Sequence, residues 1–191
     1  MEMLQTRLGV LATLVVALSL PAFAEGPDQP GGEPRQVEAG ADLYAFFKEE
    51  GRSWIVKVVT LTGAEVLETV YLQHEVVEVT DRGAVIKITP VDEDFEALPG
   101  GIPTRKVLTF GESDVRILAD LASNAQIVVQ RPDTLELAIG SLDVVYLQVI
   151  DGDNRVLRWM STREYPGLIV KEHVLYPDSG GRISTVIQVD R

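Results

Sequence analysis

Along most of this chain, apolar residues recur at a spacing of two, the period of a strand that turns one face inward. Trp54–Leu61, Val66–Val79 and Ala84–Thr89 are rich in Val, Ile, Thr and aromatics, and Thr62-Gly63-Ala64 and Asp81-Arg82-Gly83 separate them. Connections that short join only antiparallel neighbours, because a parallel crossover needs about a dozen residues. These three segments therefore predict a meander. Pro90 to Thr104 is acidic and rich in Pro and Gly, and reads as a long loop before a strand at Arg105–Phe110.

The second half repeats the pattern. Gln126–Gln130 and Thr134–Ile139 flank Arg131-Pro132-Asp133, read as a turn, and Leu142–Ile150 and Arg155–Ser161 flank Asp151-Gly152-Asp153-Asn154. Tyr165-Pro166-Gly167 has the Pro-Gly order of a type II turn. Leu168–Tyr176 and Arg182–Asp190 then flank Pro177-Asp178-Ser179-Gly180-Gly181. In the last strand Ile183, Ile187 and Val189 alternate with Ser184, Gln188 and Asp190, and Val186 breaks the alternation. Trp54–Leu61 is apolar on both sides, which predicts a central strand covered on two faces.

Helical spacing is rare. Asp42 to Glu50 reads as a short helical turn with Asp42 as cap, Gly51 past its end, and Leu43, Phe46 and Phe47 on its apolar side. Ser113–Ser123, with Val115, Leu118 and Ala122 at helical spacing, predicts a second short helix. The expected fold is mainly β: a curved antiparallel sheet or incomplete barrel with one or two short helices. An echo between Leu67–Gln73 and Leu142–Gln148, sharing Val-Tyr-Leu-Gln, raises the question of a duplicated half.

The N-terminus follows another logic. Arg7 precedes thirteen apolar or small residues, Leu8 to Leu20, followed by Pro21-Ala22-Phe23-Ala24. That run is shorter than the roughly 20 residues a spanning helix needs. It suits the core of a signal peptide, with Ala22-Phe23-Ala24 as the cleavage pattern. The expected organisation is a signal peptide over 1–24, a flexible Pro- and Gly-rich linker over 25–40, and one antiparallel β-rich domain over 41–191. After cleavage no transmembrane segment is expected, and the chain is expected to be exported, to a bacterial periplasm or outside the cell.

Charge and composition narrow the partners. The net charge of −12 opposes nucleic acid and anionic surfaces, which need a basic footprint. The absence of Cys leaves stability to the core, which a domain of about 150 residues can supply by burying roughly 70% of its surface. No catalytic motif stands out: Gly-x-Ser-x-Gly, Ser-x-x-Lys and phosphate-cradling Gly loops are missing. His74 and His173, the two histidines, lack the spacing of metal ligands. Asp92-Glu93-Asp94-Phe95-Glu96 places carboxylates as calcium loops do, but Ala97 and Pro103 stand where such a loop needs Gly and Glu. No metal, cofactor or catalytic residue is assigned.

Leu135–Asp143 with its Gly140 turn, Trp159-Met160-Ser161, Tyr165-Pro166-Gly167 leading into Leu168–Lys171, and the Gly51-Arg52-Ser53-Trp54 opening resemble uncharacterised exported bacterial β-sheet domains. Their architecture is similar to the open half-barrels of periplasmic lipoprotein carriers. Members often carry a Cys near the Gly turn, where this chain has Val144 and Val145. The resemblance implies no catalytic residues. The leading expectation is a non-catalytic exported module that binds an apolar ligand or acyl chain, lined by Trp54, Tyr71, Tyr146 and Trp159. The alternatives are a structural or protein-interaction domain of the cell envelope, and a carboxylate-dependent hydrolase. The expected partners are accordingly a lipid or apolar ligand, or an envelope protein.

Overall fold

The computed structural model describes residues 42–111, 124–178 and 180–190. The signal peptide, the linker and the helix expected over 113–123 lie outside them. The alternating segments form nine strands: β1 (Ser53–Thr62), β2 (Glu65–Thr80), β3 (Gly83–Val91), β4 (Thr104–Thr109), β5 (Gln126–Leu137), β6 (Gly140–Asp151), β7 (Asn154–Ser161), β8 (Ile169–Leu175) and β9 (Gly180–Asp190). They make one antiparallel sheet in the order β4-β3-β2-β1-β9-β8-β7-β6-β5. Two meanders meet where β1 pairs with β9, and among the described residues β4 and β5 are the edges of an open sheet.

Among the described residues, helix is limited to one 3-10 turn, Ala45–Lys48. The Asp42 carboxylate accepts from the Tyr44 amide at 3.0 Å, and the chain leaves the turn through Gly51, whose φ of 81° suits glycine. Leu43, Tyr44, Phe46 and Phe47 are all buried, more than the single stripe that a surface helix buries. Phe46 and Phe47 pack edge-on against Trp54 at 5.3 and 5.9 Å. The sheet face carrying Trp54 and this turn is called the near face below, and the other the far face.

Register irregularities explain what alternation alone misassigns. Ile55 pairs with Gln188 and Val56 with Val186, so Ile187 is an extra residue in β9. That bulge puts both Val186 and Val189 on the near face, where they join the Phe46–Trp54 core, and so accounts for the break at Val186. Further shifts interrupt the β1–β2, β2–β3, β5–β6 and β7–β8 pairings. Each such bulge bends its strand and increases local twist, which curves the sheet.

Two expected loops differ. Arg131-Pro132-Asp133 is not a turn: it lies inside β5, with Pro132 opposite Val145, and the hairpin turns at Ala138-Ile139 before Gly140. An edge strand has a side whose amides join no ladder, so Pro132 is tolerated there. At the other end, β3 runs on through Pro90 and Val91, opposite Leu72 and Tyr71. Tyr165-Pro166-Gly167 does form the expected turn, with Gly167 at φ 85° and the Leu168 amide donating to the Tyr165 carbonyl at 2.9 Å.

The shared Val-Tyr-Leu-Gln is not the trace of a duplicated unit. Tyr71 on β2 and Tyr146 on β6 project from the same face, and five antiparallel steps separate the strands, so they run in opposite directions. A rigid copy would then place β3 and β7 on opposite sides of their partners. In this sheet both lie on the same side.

Candidate binding surface

Following the pairing across the far face gives one continuous row. Tyr71 (β2) pairs with Lys57 (β1), Lys57 with Thr185 (β9), Thr185 with Lys171 (β8), Lys171 with Trp159 (β7), Trp159 with Tyr146 (β6), and Tyr146 with Arg131 (β5). With strands about 4.8 Å apart, this row of seven crosses roughly 29 Å of sheet.

Rings and cations touch along the row on both sides of Thr185. Lys57 Nζ lies 5.9 Å from the Tyr71 ring centre, Lys171 Nζ 5.4 Å from Trp159, and the Arg131 guanidinium 5.3 Å from Tyr146. Tyr146 and Trp159 meet at 5.2 Å, and Phe95 from the β3–β4 loop meets Tyr71 at 6.2 Å. All members except Thr185 thus hold a ring contact, and all except Arg131 are half-buried. Trp159 also packs against the main core cluster, which includes Leu142 and Val144 of β6 with Leu168 and Val170. Its ring is therefore fixed in place.

The charge pattern of this face is unlike that of the chain. On β1, β9, β8, β7 and β6, the far-face positions from the level of Ile55 to that of Leu61 contain no Asp or Glu, in a protein with 29 of them. Apolar residues fill the next level up: Val59, Ile183 and Leu157, with His173 between the last two. His173 meets Trp159 edge-on at 5.4 Å, and its Nε2 is buried with no hydrogen-bond partner among the described residues. Burial, and then the neighbouring Lys171, push the His173 pKa below its ordinary value.

The near face satisfies its charges internally. Glu172 accepts from Arg158 Nε at 2.5 Å and from Arg182 at 3.2 Å, with only 12% of its side chain exposed. Trp54 belongs to this face. It is 4% exposed, stacked on His74 at 5.1 Å and enclosed by Phe46 and Phe47. His74 Nδ1 donates to the Leu72 carbonyl at 3.2 Å, and burial brings its pKa down to about 4.

Of the four residues expected to line a site, three therefore share the far face, and Trp159 and Tyr146 touch. Tyr71 stands at the row's other end, and Trp54 lies in the core behind. The sequence reading missed Lys57, Lys171, Arg131 and His173; cross-strand register is the signal that connects them.

No family model matches the chain, and no curated protein matches it. Among solved structures it is similar to MucB in complex with MucA(peri), at 11% identity and a TM-score of 0.44, over 78% of this chain and 52% of that one. The chain thus spans about half the length of that protein. It is also similar to a putative outer membrane lipoprotein-sorting protein domain from Vibrio parahaemolyticus (11% identity, TM-score 0.32, 81% and 93% of the two chains). A third likeness is to a LolA superfamily protein from Nitrosomonas europaea (10% identity, TM-score 0.30, 84% and 94%). Likenesses this remote say nothing about what this chain binds.

The acidic loop after β3 has a local explanation. Asp92 Oδ1 accepts from the amides of Asp94 at 3.0 Å and Glu96 at 2.9 Å, so one carboxylate that a cation would use organises the turn. Among the described residues, no group of three or more His, Asp or Glu is placed to hold a metal ion. Asp42, beside Lys48, has its pKa lowered by that lysine's hydrogen bond, opposite to the direction a general acid requires. Among the described residues, no helix is long and apolar enough to cross a membrane.

Proposed function

We propose that this chain is an exported, non-catalytic binding module that holds an apolar or amphipathic ligand, such as an acyl chain, on the far face of its sheet. One observation carries the reading: six aromatic or cationic side chains and Thr185 stand in register across seven strands, flanked by apolar residues and free of carboxylates over the central five. Such a surface offers contact area through ordered rings, at little entropic cost, because Trp159 is already packed against the core. Export to the periplasm or beyond rests on Arg7, the Leu8–Leu20 run and Ala22-Phe23-Ala24. Cleavage there gives a mature chain beginning at Glu25.

Native mass spectrometry of the protein, purified from the exported fraction under mild conditions, tests both parts. The expected spectrum shows a mature N-terminus at Glu25 and a lipid-mass adduct that Trp159→Ala and Tyr146→Ala deplete. An adduct-free protein that also fails to take up added amphiphile excludes the ligand. A polypeptide retained in place of a lipid favours the envelope protein-interaction alternative.

A further inference from the structure

We infer that Lys57, Thr185 and Lys171 form an anion subsite that holds the carboxylate or phosphate head of a single-chain amphiphile, with the chain lying over Val59 and Ile183 toward Leu61 and Leu175. This rests on the proposed ligand-binding reading and adds to it the ligand's charge and direction.

Charge and burial together set two lysines apart. Six described cations have carboxylate partners: Lys48 with Asp42, Arg52 with Glu49, Lys87 with Glu75, Arg163 with Asp143, and Arg158 and Arg182 with Glu172. Arg82, Arg105, Arg131 and Arg155 make no ion pair among the described residues, but they are exposed to water. Lys57 and Lys171 make no ion pair among the described residues, although the chain has an excess of acid. A sheet that surrounds two half-buried lysines with rings and apolar residues leaves their counter-charge to come from outside.

Lys57 and Lys171 both neighbour Thr185, on the strands either side of β9, so two lysine backbones about 10 Å apart flank one hydroxyl-bearing residue. Tyr71 and Trp159 steady the two lysine stems from outside. The Nε2 of His173, one level up from Lys171, adds another polar atom without a hydrogen-bond partner among the described residues.

Direction follows from the rest of the face. From the Lys57 level to the Leu61 level is four residues, or about 13 Å of strand. Around that level the β1–β2 and β8–β9 hairpins end in exposed apolar side chains: Val66 at 61%, Leu67 at 63%, Leu175 at 43% and Tyr176 at 37%. In the other direction the far face meets Asp190 and Glu75, so an apolar tail turned that way would lie against carboxylates.

Calorimetric titration of the purified chain with dodecanoate, dodecyl phosphate, dodecanol and dodecyltrimethylammonium, each as monomer, tests this. The subsite predicts that at least one anion binds tenfold or more tighter than dodecanol, and that the cation binds weakest; the tighter anion identifies the head group. Lys57→Met and Lys171→Met each keep an apolar stem and should weaken the anion about tenfold, while dodecanol is unchanged. Thr185→Val, which removes no charge, gives a smaller loss and serves if a lysine variant folds poorly. Anion and alcohol binding equally, in wild type and variants, overturns the subsite but not the ligand-binding reading. Failure of all four amphiphiles to bind overturns both.

Discussion

The chain's two tryptophans each contact one of its two histidines, on opposite faces of the same sheet. Trp54 stacks flat on His74, with Phe46 and Phe47 closing over it, and contributes to the core. Trp159 meets His173 edge-on, with Tyr146 and the Lys171 ammonium beside it and the core cluster behind. The residue types match and the surroundings do not. Around the first pair the partners are apolar; around the second they are cationic and half-exposed. Aromatic–histidine contact is therefore no mark of function here, and the neighbours decide which pair stabilises the fold and which offers a surface.

Removing the two rings should separate these roles. Trp54→Ala leaves a void beneath the 3-10 turn and is expected to cost about 3–5 kcal/mol, as large-to-small core changes do. Trp159→Ala, on the half-buried face, should cost roughly half of that and abolish amphiphile uptake. Urea denaturation measures both; equal losses would erase the distinction between the faces.

The histidines should differ next. His74 has a folded pKa of about 4 against an ordinary 6.5, the result of burial, with Lys106 acting in the same direction and the Leu72 carbonyl opposing. A lowered folded pKa means that the unfolded chain takes up the proton first. The stabilisation is thus complete above pH 6.5 and is lost as pH falls toward 4, amounting to about 3 kcal/mol. His74→Phe, which preserves a ring against Trp54, should flatten that part of the pH profile. An unchanged slope would show that other groups carry it.

The sheet was legible from alternation, and the limits of that reading have physical causes. Segment after segment matched because one buried face imposes a period of two on each strand. The reading failed at Ile187, where a bulge changes the parity, and at Pro132, where an edge position removes the usual objection to proline in a sheet. The binding row was mostly hidden for a related reason. Lys57, Thr185 and Lys171 are far apart in sequence, and only the paired register of β1, β9 and β8 brings them side by side. Aromatic residues could be picked out one at a time, which found Tyr71, Tyr146 and Trp159 but also drew in Trp54 from the core.

Glu172 offers a sharper contrast, since it follows Lys171 directly on β8 and points to the other face. Its carboxylate bridges Arg158 and Arg182 and is 12% exposed. Glu172→Gln keeps the shape but leaves two guanidinium groups without their shared counter-charge, and should cost about 2 kcal/mol. Thermal or urea unfolding measures this, and a change near zero would mean that the triad is screened as surface pairs are.

The smallest expected effect on stability belongs to its neighbour. Lys171 has no carboxylate to lose among the described residues, and the cation–ring contact with Trp159 is worth about 0.5–1 kcal/mol at such a site. Met retains the stem that covers the ring, and the removed charge lies close to His173, whose protonation it opposes. Lys171→Met should therefore shift unfolding by less than about 1 kcal/mol, with His173 titrating at a higher pH by NMR. Two adjacent residues of one strand would then answer to different measurements: Glu172 to stability, Lys171 to anion binding and the His173 titration. A Lys171→Met variant as destabilised as Glu172→Gln would make the lysine another structural charge and remove the basis for treating the far face as a binding surface.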